Sequence, residues 1–219
     1  REMQANMARE YGIYGFCYYH YWFNGKRLMD RPVKEILASG QPDFPFMLCW
    51  ANENWSRNWD GKFRNILIEQ HYSEEDDIEH MRYLCSKVFQ DTRYIRIDGK
   101  PVFAIYRSNF FPNMKHTIDV WRKVAKEEYG IELYLIRVEN EPDFGPKYLD
   151  CGFDSAMDFQ PLLMGEFNAW WKNLPFRIMN HLFKGKYQWF NKHFSYASYV
   201  KYRIKKPLAD YKCFPCVSP

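Results

Sequence analysis

The chain has 219 residues, of which 47% are hydrophobic and 20% aromatic, and it carries a formal net charge of +4 at pH 7. This composition allows the core of one domain, and the mild charge gives no reason to expect a nucleic-acid partner. No apolar run is long enough to cross a membrane and no secretory leader is visible, so the sequence predicts a cytoplasmic protein.

A unit of amphipathic helix, glycine and apolar strand recurs along the chain. The first predicted helix ends at Gly12, and strand 13–20 follows it. The second runs from Pro32 to Gly40 and precedes strand 46–49. The first helix is predicted to bury one apolar face, made of Met3, Met7, Ala8 and Tyr11.

The third predicted helix begins at Ser73, a good N-cap, and acidic residues at 74–76 favour its first turn. Asp76 and Asp77 also resemble the metal-binding acid pair of some sugar transferases, but their place at a helix start explains them better. Asp98-Gly99 predicts a tight turn between a short strand at 95–97 and strand 101–106. The buried face of this helix is predicted to contain Ile78, Met81, Cys85 and Val88.

A fourth helix, with Ile118, Trp121 and Ala125 on its apolar face, is predicted to end at Gly130. Further strands are predicted at 131–138, 153–159 and 211–217, with a short helix at 147–150. Helices that alternate with apolar strands indicate an α/β protein with a parallel sheet.

Polar residues follow five of the predicted strands, as they do at the functional end of a parallel barrel. The sequence therefore predicts an incomplete (β/α)8 TIM-type barrel with parallel strands, a single domain over residues 1–219. Because the chain starts at Arg1 and stops after a strand, we expect a fragment of a larger protein. The polar strand-end residues are His20 and Trp22; Asn52 and Glu53; Tyr106 and Arg107; Glu139, Asn140 and Glu141; Asp158 and Gln160.

The segment 46–55 is the strongest candidate for a binding site. An apolar strand runs directly into Trp50, Asn52, Glu53, Asn54 and Trp55, which combine indoles, amides and a carboxylate. Sugars need such a set, because their hydroxyls pair with donors and acceptors and their C–H faces pack on aromatic rings. The alternative is a strand end whose polar residues cap the next loop.

The strand-end acids are weak candidates for catalysis. Cleavage of a glycosidic bond commonly uses two carboxylates, and converging strands would bring Glu53 towards Glu139. Each acid could instead bind sugar hydroxyls or pair with Arg107 or Arg57. His20 is either a structural residue or a sugar contact.

A basic, aromatic insertion is predicted at 164–206. It carries nine Lys or Arg residues against Glu166 alone, so it is either a solvated amphipathic excursion or a surface for an anionic partner. Peripheral contact with a membrane through 170–206 is one such interpretation. Oligomeric state is not predictable from these residues.

The chain has six cysteines. Cys17 and Cys49 lie in apolar strand-like runs and Cys85 on a predicted helix face, which is typical of reduced, buried thiols. Cys213 and Cys216 have CxxC spacing, but no second pair completes a zinc site, and no HxH or HExxH motif is present. Neither a metal ion nor a cofactor is therefore expected. No GxGxxG or GxxxxGK[ST] motif supports a nucleotide-binding fold.

Four motifs resemble the WbsX-type glycosyltransferase family, also described as glycoside hydrolase family 99-like. They are Ile13-Tyr-Gly-Phe-Cys-Tyr-Tyr-His-Tyr-Trp-Phe-Asn-Gly25, Phe46-Met-Leu-Cys-Trp-Ala-Asn-Glu-Asn-Trp55, Asp98-Gly-Lys-Pro-Val-Phe-Ala-Ile-Tyr-Arg107 and Phe214-Pro-Cys-Val-Ser-Pro219. The resemblance covers nearly all of the chain, and it implies that this fragment lacks a first strand and a C-terminal strand of the barrel. It implies a carbohydrate-active (β/α)8 enzyme that acts on glycosidic bonds in bacterial surface polysaccharide synthesis, of the O-antigen type.

The resemblance also implies where catalysis takes place. The family carries an Asn-Glu-Trp-x-Glu-Gly-type motif near its C-terminus, and no such motif occurs here, so the catalytic acids are expected beyond Pro219. The fragment is then expected to be inactive alone and to supply the sugar-binding wall, or else to be a non-catalytic glycan-binding module. The expected substrate contacts are His20, Trp22, Trp50, Asn52, Glu53, Trp55, Tyr106, Arg107 and Asp158.

Overall fold

The structure is a computed structural model. It describes residues 1–57, 62–139, 145–159 and 195–215, together with positions 174, 178 and 182. The chain divides into two compact units, Arg1–Asp158 with Tyr211–Pro215 and Phe159–Asp210 with Cys216–Pro219. The predictions for Asn140, Glu141, Gln160 and Cys216, and for most of 164–206, fall outside the described residues, as does the side chain of Arg57.

The helices of the first unit begin and end where local sequence signals place them. Ser73 accepts a hydrogen bond from the backbone N–H of Asp76, and Asn113 accepts one from His116, so both are N-caps. Gly40 and Gly130 end their helices in the left-handed conformation. The helices are α1 (Glu2–Glu10), α2 (Arg31–Ser39), α3 (Glu74–Tyr83) and α4 (Met114–Tyr129), and a π-helical turn, Leu84–Val88, continues α3.

The strands of the first unit form one main sheet and one separate hairpin. They are β1 (Phe16–Phe23), β2 (Lys26–Leu28), β3 (Phe46–Trp50), β4 (Trp55–Arg57), β5 (Lys62–Ile68), β6 (Arg96–Ile97), β7 (Lys100–Ile105), β8 (Tyr134–Glu139), β9 (Ser155–Asp158) and β10 (Cys213–Pro215). The predicted strands are confirmed, and their bounds differ from the predictions by at most three residues. Short 3-10 turns lie at Ser108–Phe110 and Pro146–Cys151.

The main sheet has the order β2-β1-β3-β7-β8-β9-β10. From β1 to β10 all neighbours pair in parallel, and they follow one another in chain order. A doubly wound sheet would reverse its strand order at a switch point, whereas a barrel keeps it. This mixed α/β fold with a mainly parallel sheet is consistent with the predicted partial barrel.

The two faces of the sheet have different neighbours. The register His20–Trp50–Ile105–Arg137 lies on one face. On this face, the large apolar side chains of β3 and β7 pack against those of α3 and α4 in the core, among them Met81, Ile118 and Trp121. The register Tyr19–Cys49–Ala104–Ile136 lies on the other face, since side chains alternate along a strand.

Three features differ from the sequence predictions. Helix α1 buries Ala5 and Ala8 rather than the methionines, because its small residues pack closely on Phe44, while Met3 is 75% exposed. The pairing of β1 with β2 and that of β4 with β5 were not predicted. Asn24 and Gly25 have positive φ at the turn between β1 and β2, and Asn-Gly is a strong hairpin signal.

The second unit is described mainly at helix α5 (Tyr196–Lys205), which Ser195 caps through a hydrogen bond from the N–H of Ser198. Tyr199 is buried and the remaining side chains of this helix are mostly exposed. Across the residues described in both units, no helix is long and apolar enough to span a bilayer.

Candidate functional site

A groove of about 370 Å³ opens at the carboxyl end of the parallel strands, on the sheet face opposite the helices. Tyr19 and Tyr21 come from β1, Ala51 and Glu53 follow β3, and Tyr106 follows β7. The remaining wall consists of Asn54, which precedes β4, and of Trp55, Ser56 and Leu67 from the hairpin of β4 and β5. Ligands of parallel α/β folds bind at this end of the sheet.

Asn52 fixes the ends of β3 and β7 beneath the groove. Its Nδ2 donates to the backbone carbonyl of Arg107 at 2.8 Å and to the hydroxyl of Tyr72 at 3.0 Å, and its Oδ1 accepts from the N–H of Arg107 at 2.8 Å. The Tyr72 hydroxyl donates in turn to the backbone carbonyl of Asn52 at 2.8 Å. Asn52 is completely buried, so it supports the groove and does not line it.

Glu53 brings a carboxylate to the groove wall. The Nε of Arg107 donates to its Oε1 at 2.7 Å, and the two side chains are 40% and 23% exposed. The guanidinium of Arg107 also lies 5.1 Å from the ring centre of Tyr106 and 5.7 Å from that of Phe110. These contacts orient the carboxylate, which is an acceptor for hydroxyl groups of a ligand.

Tyrosine rings make up much of the groove wall. The rings of Tyr19 and Tyr106 meet edge to face at 6.0 Å. Burial raises the pKa of Tyr19 to about 12, and burial followed by the nearby Glu53 raises the pKa of Tyr106. Burial also raises the pKa of Tyr21. All three phenols therefore keep their protons at neutral pH and act as hydrogen-bond donors as well as acceptors.

The hairpin of β4 and β5 is fastened at its base. The Oδ1 of Asn54 accepts from the backbone N–H of Gln70 at 2.7 Å, which closes the chain on either side of the hairpin. Trp55 packs edge to face on Tyr21 at 5.3 Å and on Phe23 at 5.7 Å. These contacts place an indole and the β1 tyrosines on the same wall of the groove.

Three predicted contacts, His20, Trp22 and Trp50, lie on the helix-facing side of the sheet instead. His20 Nε2 lies 3.0 Å from His80 Nε2, and burial lowers the pKa of His20 to about 3 and that of His80 well below its usual value. Trp22 stacks on His80 at 4.5 Å and donates to Asp76. Trp50 is completely buried and donates to the Trp22 carbonyl at 3.2 Å. We exclude these three residues from the candidate site, because their polar groups make their contacts within the core.

Glu139 is placed in a buried ion pair rather than beside Glu53. Its Oε1 accepts from Arg137 Nη2 at 2.8 Å, from the backbone N–H of Gly145 at 3.2 Å and from the Tyr211 hydroxyl at 2.6 Å. Arg137 and Glu139 have side chains 0% and 3% exposed. Asp158 is in register with Glu139 and is also buried. Neither acid is among the residues that line the groove.

Tyr19, Tyr21, Ser56 and Leu67 are groove residues that the sequence analysis did not select. Tyr19 and Tyr21 alternate with His20 and Trp22 along β1, so the same aromatic run supplies both faces of the sheet. The period-two pattern was a signal for them, but it did not say which face would meet the helices.

Two further observations concern other sites. A second cavity of about 520 Å³ lies between α1 and the amino end of β1, and its lining is mainly apolar. The part of the chain that the structure describes contains no group of three or more His, Cys, Asp or Glu side chains able to hold a metal ion. Asp76 and Asp77 instead accept hydrogen bonds from Trp22 and Thr117.

Comparisons with known proteins point in one direction. The profile of the family described as Glycosyltransferase WbsX matches residues 1–219. The uncharacterized protein WxcX of Xanthomonas campestris pv. campestris strain B100 is 32% identical over 216 residues, which are 99% of this chain and 29% of WxcX. WxcX of a second strain of the same organism is 31% identical over 216 residues, with the same coverage.

A solved structure of a glycoside hydrolase-like protein superposes with a TM-score of 0.57 at 16% identity, covering 99% of this chain and 62% of that protein. At this identity the likeness shows a glycoside hydrolase-like fold. The chain spans 29% of the length of its curated relatives.

Proposed function

This chain belongs to the WbsX glycosyltransferase family, and from this premise we propose that it forms the glycan-binding wall of an enzyme that acts on glycosidic bonds. The observation that carries the proposal is the groove itself, in which Glu53 stands among Tyr19, Tyr21, Tyr106 and Trp55 at the carboxyl end of a parallel sheet.

Each part of the groove has a role toward a sugar. The apolar C–H faces of a pyranose pack on Tyr19, Tyr106 or Trp55, while the edge of the ring turns its hydroxyls toward Glu53 and the phenols. A carboxylate accepts from two neighbouring hydroxyls at once, and the protonated phenols donate or accept as the sugar requires. Arg107 keeps the carboxylate in place, so less ordering is needed when the ligand binds.

Glycosidic chemistry commonly uses two carboxyl groups, and the described lining of the groove contains one. Of the described residues that line it, Glu53 is the one acid, and Glu139 is taken up by its ion pair with Arg137. We therefore propose that Glu53 binds the glycan and that a region of the full-length protein outside these residues supplies the principal catalytic acids.

The proposal extends to the biological setting. The substrate class is a bacterial cell-surface polysaccharide of the O-antigen type, and the protein acts in the cytoplasm, where the precursors of such polymers are built. Membership in a family named for glycosyltransferases and a glycoside hydrolase-like fold support action on glycosidic bonds. Transfer and hydrolysis both fit this site.

The test is a titration of the full-length protein with oligosaccharides prepared from the surface polysaccharide of its own organism. We expect Glu53→Gln and Tyr19→Ala each to weaken binding by about tenfold or more, which matches the loss of one good polar or stacking contact. Matched controls are Glu10→Gln and Tyr14→Ala, which change exposed residues of the same types outside the groove. Equal affinity in groove and control variants would contradict the proposal.

A non-catalytic glycan-binding module is the second candidate function, and the single groove acid favours it. The two functions differ in turnover. Release of reducing ends, or transfer of labelled sugar, by the full-length protein supports the enzyme. Binding that depends on Glu53 without either product supports the module.

A further inference from the structure

Charge is distributed unequally between the two units of the chain. The second unit contains nine Lys or Arg residues and two acids, Glu166 and Asp210, which gives a formal charge of +7. Because the whole chain carries +4, the first unit carries −3. The second unit is therefore a cationic body attached to a weakly anionic one.

Helix α5 combines these charges with exposed apolar side chains. Lys201, Lys205 and Lys206 are exposed and flank Ile204, which is 79% exposed. Leu208, which follows the helix, is 88% exposed. Ile204 and Leu208 beside three lysines give this end of the unit a surface that is both apolar and cationic.

A second set of exposed aliphatic residues lies earlier in the same unit. Leu174, Ile178 and Leu182 are all helical and all exposed. In the sequence they recur every four residues, a spacing that is typical of one face of an amphipathic helix. The sequence around them is rich in tryptophan and in basic residues such as Lys172 and Arg177.

This combination matches the chemistry of one kind of partner. A surface that lies on a membrane presents aliphatic and aromatic residues to the acyl boundary and basic residues to anionic headgroups. A nucleic acid would use the charges and the aromatic rings but would leave Ile204 and Leu208 in water. We propose that the second unit docks on the surface of a membrane that contains anionic lipid, with Lys201, Lys205 and Lys206 at the headgroups and Ile204 and Leu208 inserted between them.

The proposal is independent of the glycan groove and is tested with the full-length protein and vesicles. Vesicles of phosphatidylcholine mixed with phosphatidylglycerol are compared with vesicles of phosphatidylcholine alone in a flotation assay. We expect binding to the anionic vesicles only and a steep loss of binding as salt is added. Absence of binding at low salt would overturn the proposal.

Charge-reversal variants identify the surface. Lys201→Glu, Lys205→Glu and Lys206→Glu together are expected to weaken vesicle binding by about 100-fold, from the usual effect of each basic residue at a membrane. The control reverses Lys26, Lys87 and Lys123, which are exposed in the first unit and change the net charge by the same amount. An equal loss in both variants would show a general charge effect and would overturn the assignment.

A second pair of variants tests insertion. Ile204→Ser with Leu208→Ser is expected to weaken binding to the same vesicles, whereas Met3→Ser with Met29→Ser, which removes two exposed apolar residues of the first unit, leaves it unchanged. Circular dichroism confirms that each variant is folded. Tight binding to a single-stranded oligonucleotide without binding to vesicles would assign the surface to nucleic acid instead.

Discussion

The side chain of Asn52 pairs with both backbone groups of Arg107. Its amide donates to the carbonyl and accepts from the N–H, each at 2.8 Å, as a neighbouring strand would. Asn52 lies two residues beyond the end of β3 and Arg107 two residues beyond the end of β7, so the parallel pairing of these strands continues through a side chain after the backbone ladder ends. Glu53, which follows Asn52, and Tyr106, which precedes Arg107, are thereby positioned at the groove.

Replacing Asn52 with alanine is expected to destabilise the first unit and to weaken the groove. The change removes the side-chain partner of both backbone groups of Arg107 and one of the two hydrogen bonds of the Tyr72 hydroxyl, at a cost of about 3 kcal/mol. Chemical denaturation measures the loss. Asn54→Ala, which removes one hydrogen bond at an exposed position, is the control and is expected to cost less than half as much. Similar losses in the two variants would argue against the bridging role of Asn52.

Arg107 is expected to affect glycan affinity through Glu53. In a double-mutant cycle, Glu53→Gln and Arg107→Gln each weaken binding, but the double variant binds about as well as Glu53→Gln alone, because Arg107 has lost the group that it orients. Titration of the same oligosaccharide with all four proteins gives the result. Fully additive losses would mean that Arg107 contacts the sugar independently.

Glu139 is expected to support stability and not binding. Glu139→Ala leaves the fully buried Arg137 charged and without its carboxylate, which costs about 3–5 kcal/mol of unfolding free energy. The exposed pair of Arg82 and Glu128 gives the control, since Glu128→Ala is expected to change stability very little. If Glu139→Ala folded normally and abolished activity of the full-length protein, Glu139 would be catalytic after all.

The histidine pair beneath β1 is expected to make the first unit sensitive to acid. Burial depresses the pKa of both His20 and His80, so the unfolded chain binds protons that the folded chain does not. Stability is then complete above the unfolded pKa, near 6.5, and is lost as the pH falls from there toward about 3. Each histidine contributes a slope of about 1.4 kcal/mol per pH unit.

The measurement compares wild type with His80→Gln by denaturation between pH 4 and 7. We expect the unfolding free energy of the variant to depend less steeply on pH, by about the contribution of one histidine. Asp77 has the opposite effect, because burial raises its pKa to about 6 and it binds a proton on the folded side, but it is present in both proteins and cancels. Identical slopes would mean that His80 does not resist protonation.

Elements with strong local signals were predictable from the sequence. Ser73, Gly40 and Gly130 fixed helix ends because a side-chain cap or a left-handed glycine is a property of the residue itself. Strand order followed from the alternation of helices with apolar strands. The stretch around Glu53 was found because its polar residues interrupt an apolar run.

The composition of the site was less predictable, because it depends on which face of a strand meets the helices. Both faces of β1 carry aromatic residues, so His20 and Trp22 could not be told from Tyr19 and Tyr21 by hydrophobicity. Glu139 is buried because it pairs with Arg137, two residues earlier on the same face, and accepts a hydrogen bond from Tyr211, 72 residues away. The last contact is tertiary, and no local pattern contains it.

The hydrogen bond between Asn54 and Gln70 has a consequence for how such proteins diversify. This hydrogen bond holds the two ends of the segment 55–69 at a fixed separation. The sequence of the segment can therefore change while the sheet stays the same. Substitutions or length changes inside it would alter the wall that carries Trp55 and Leu67 without disturbing β3 or β7. Mutations that are selected for binding a new ligand can therefore occur in this segment without lowering the stability of the fold.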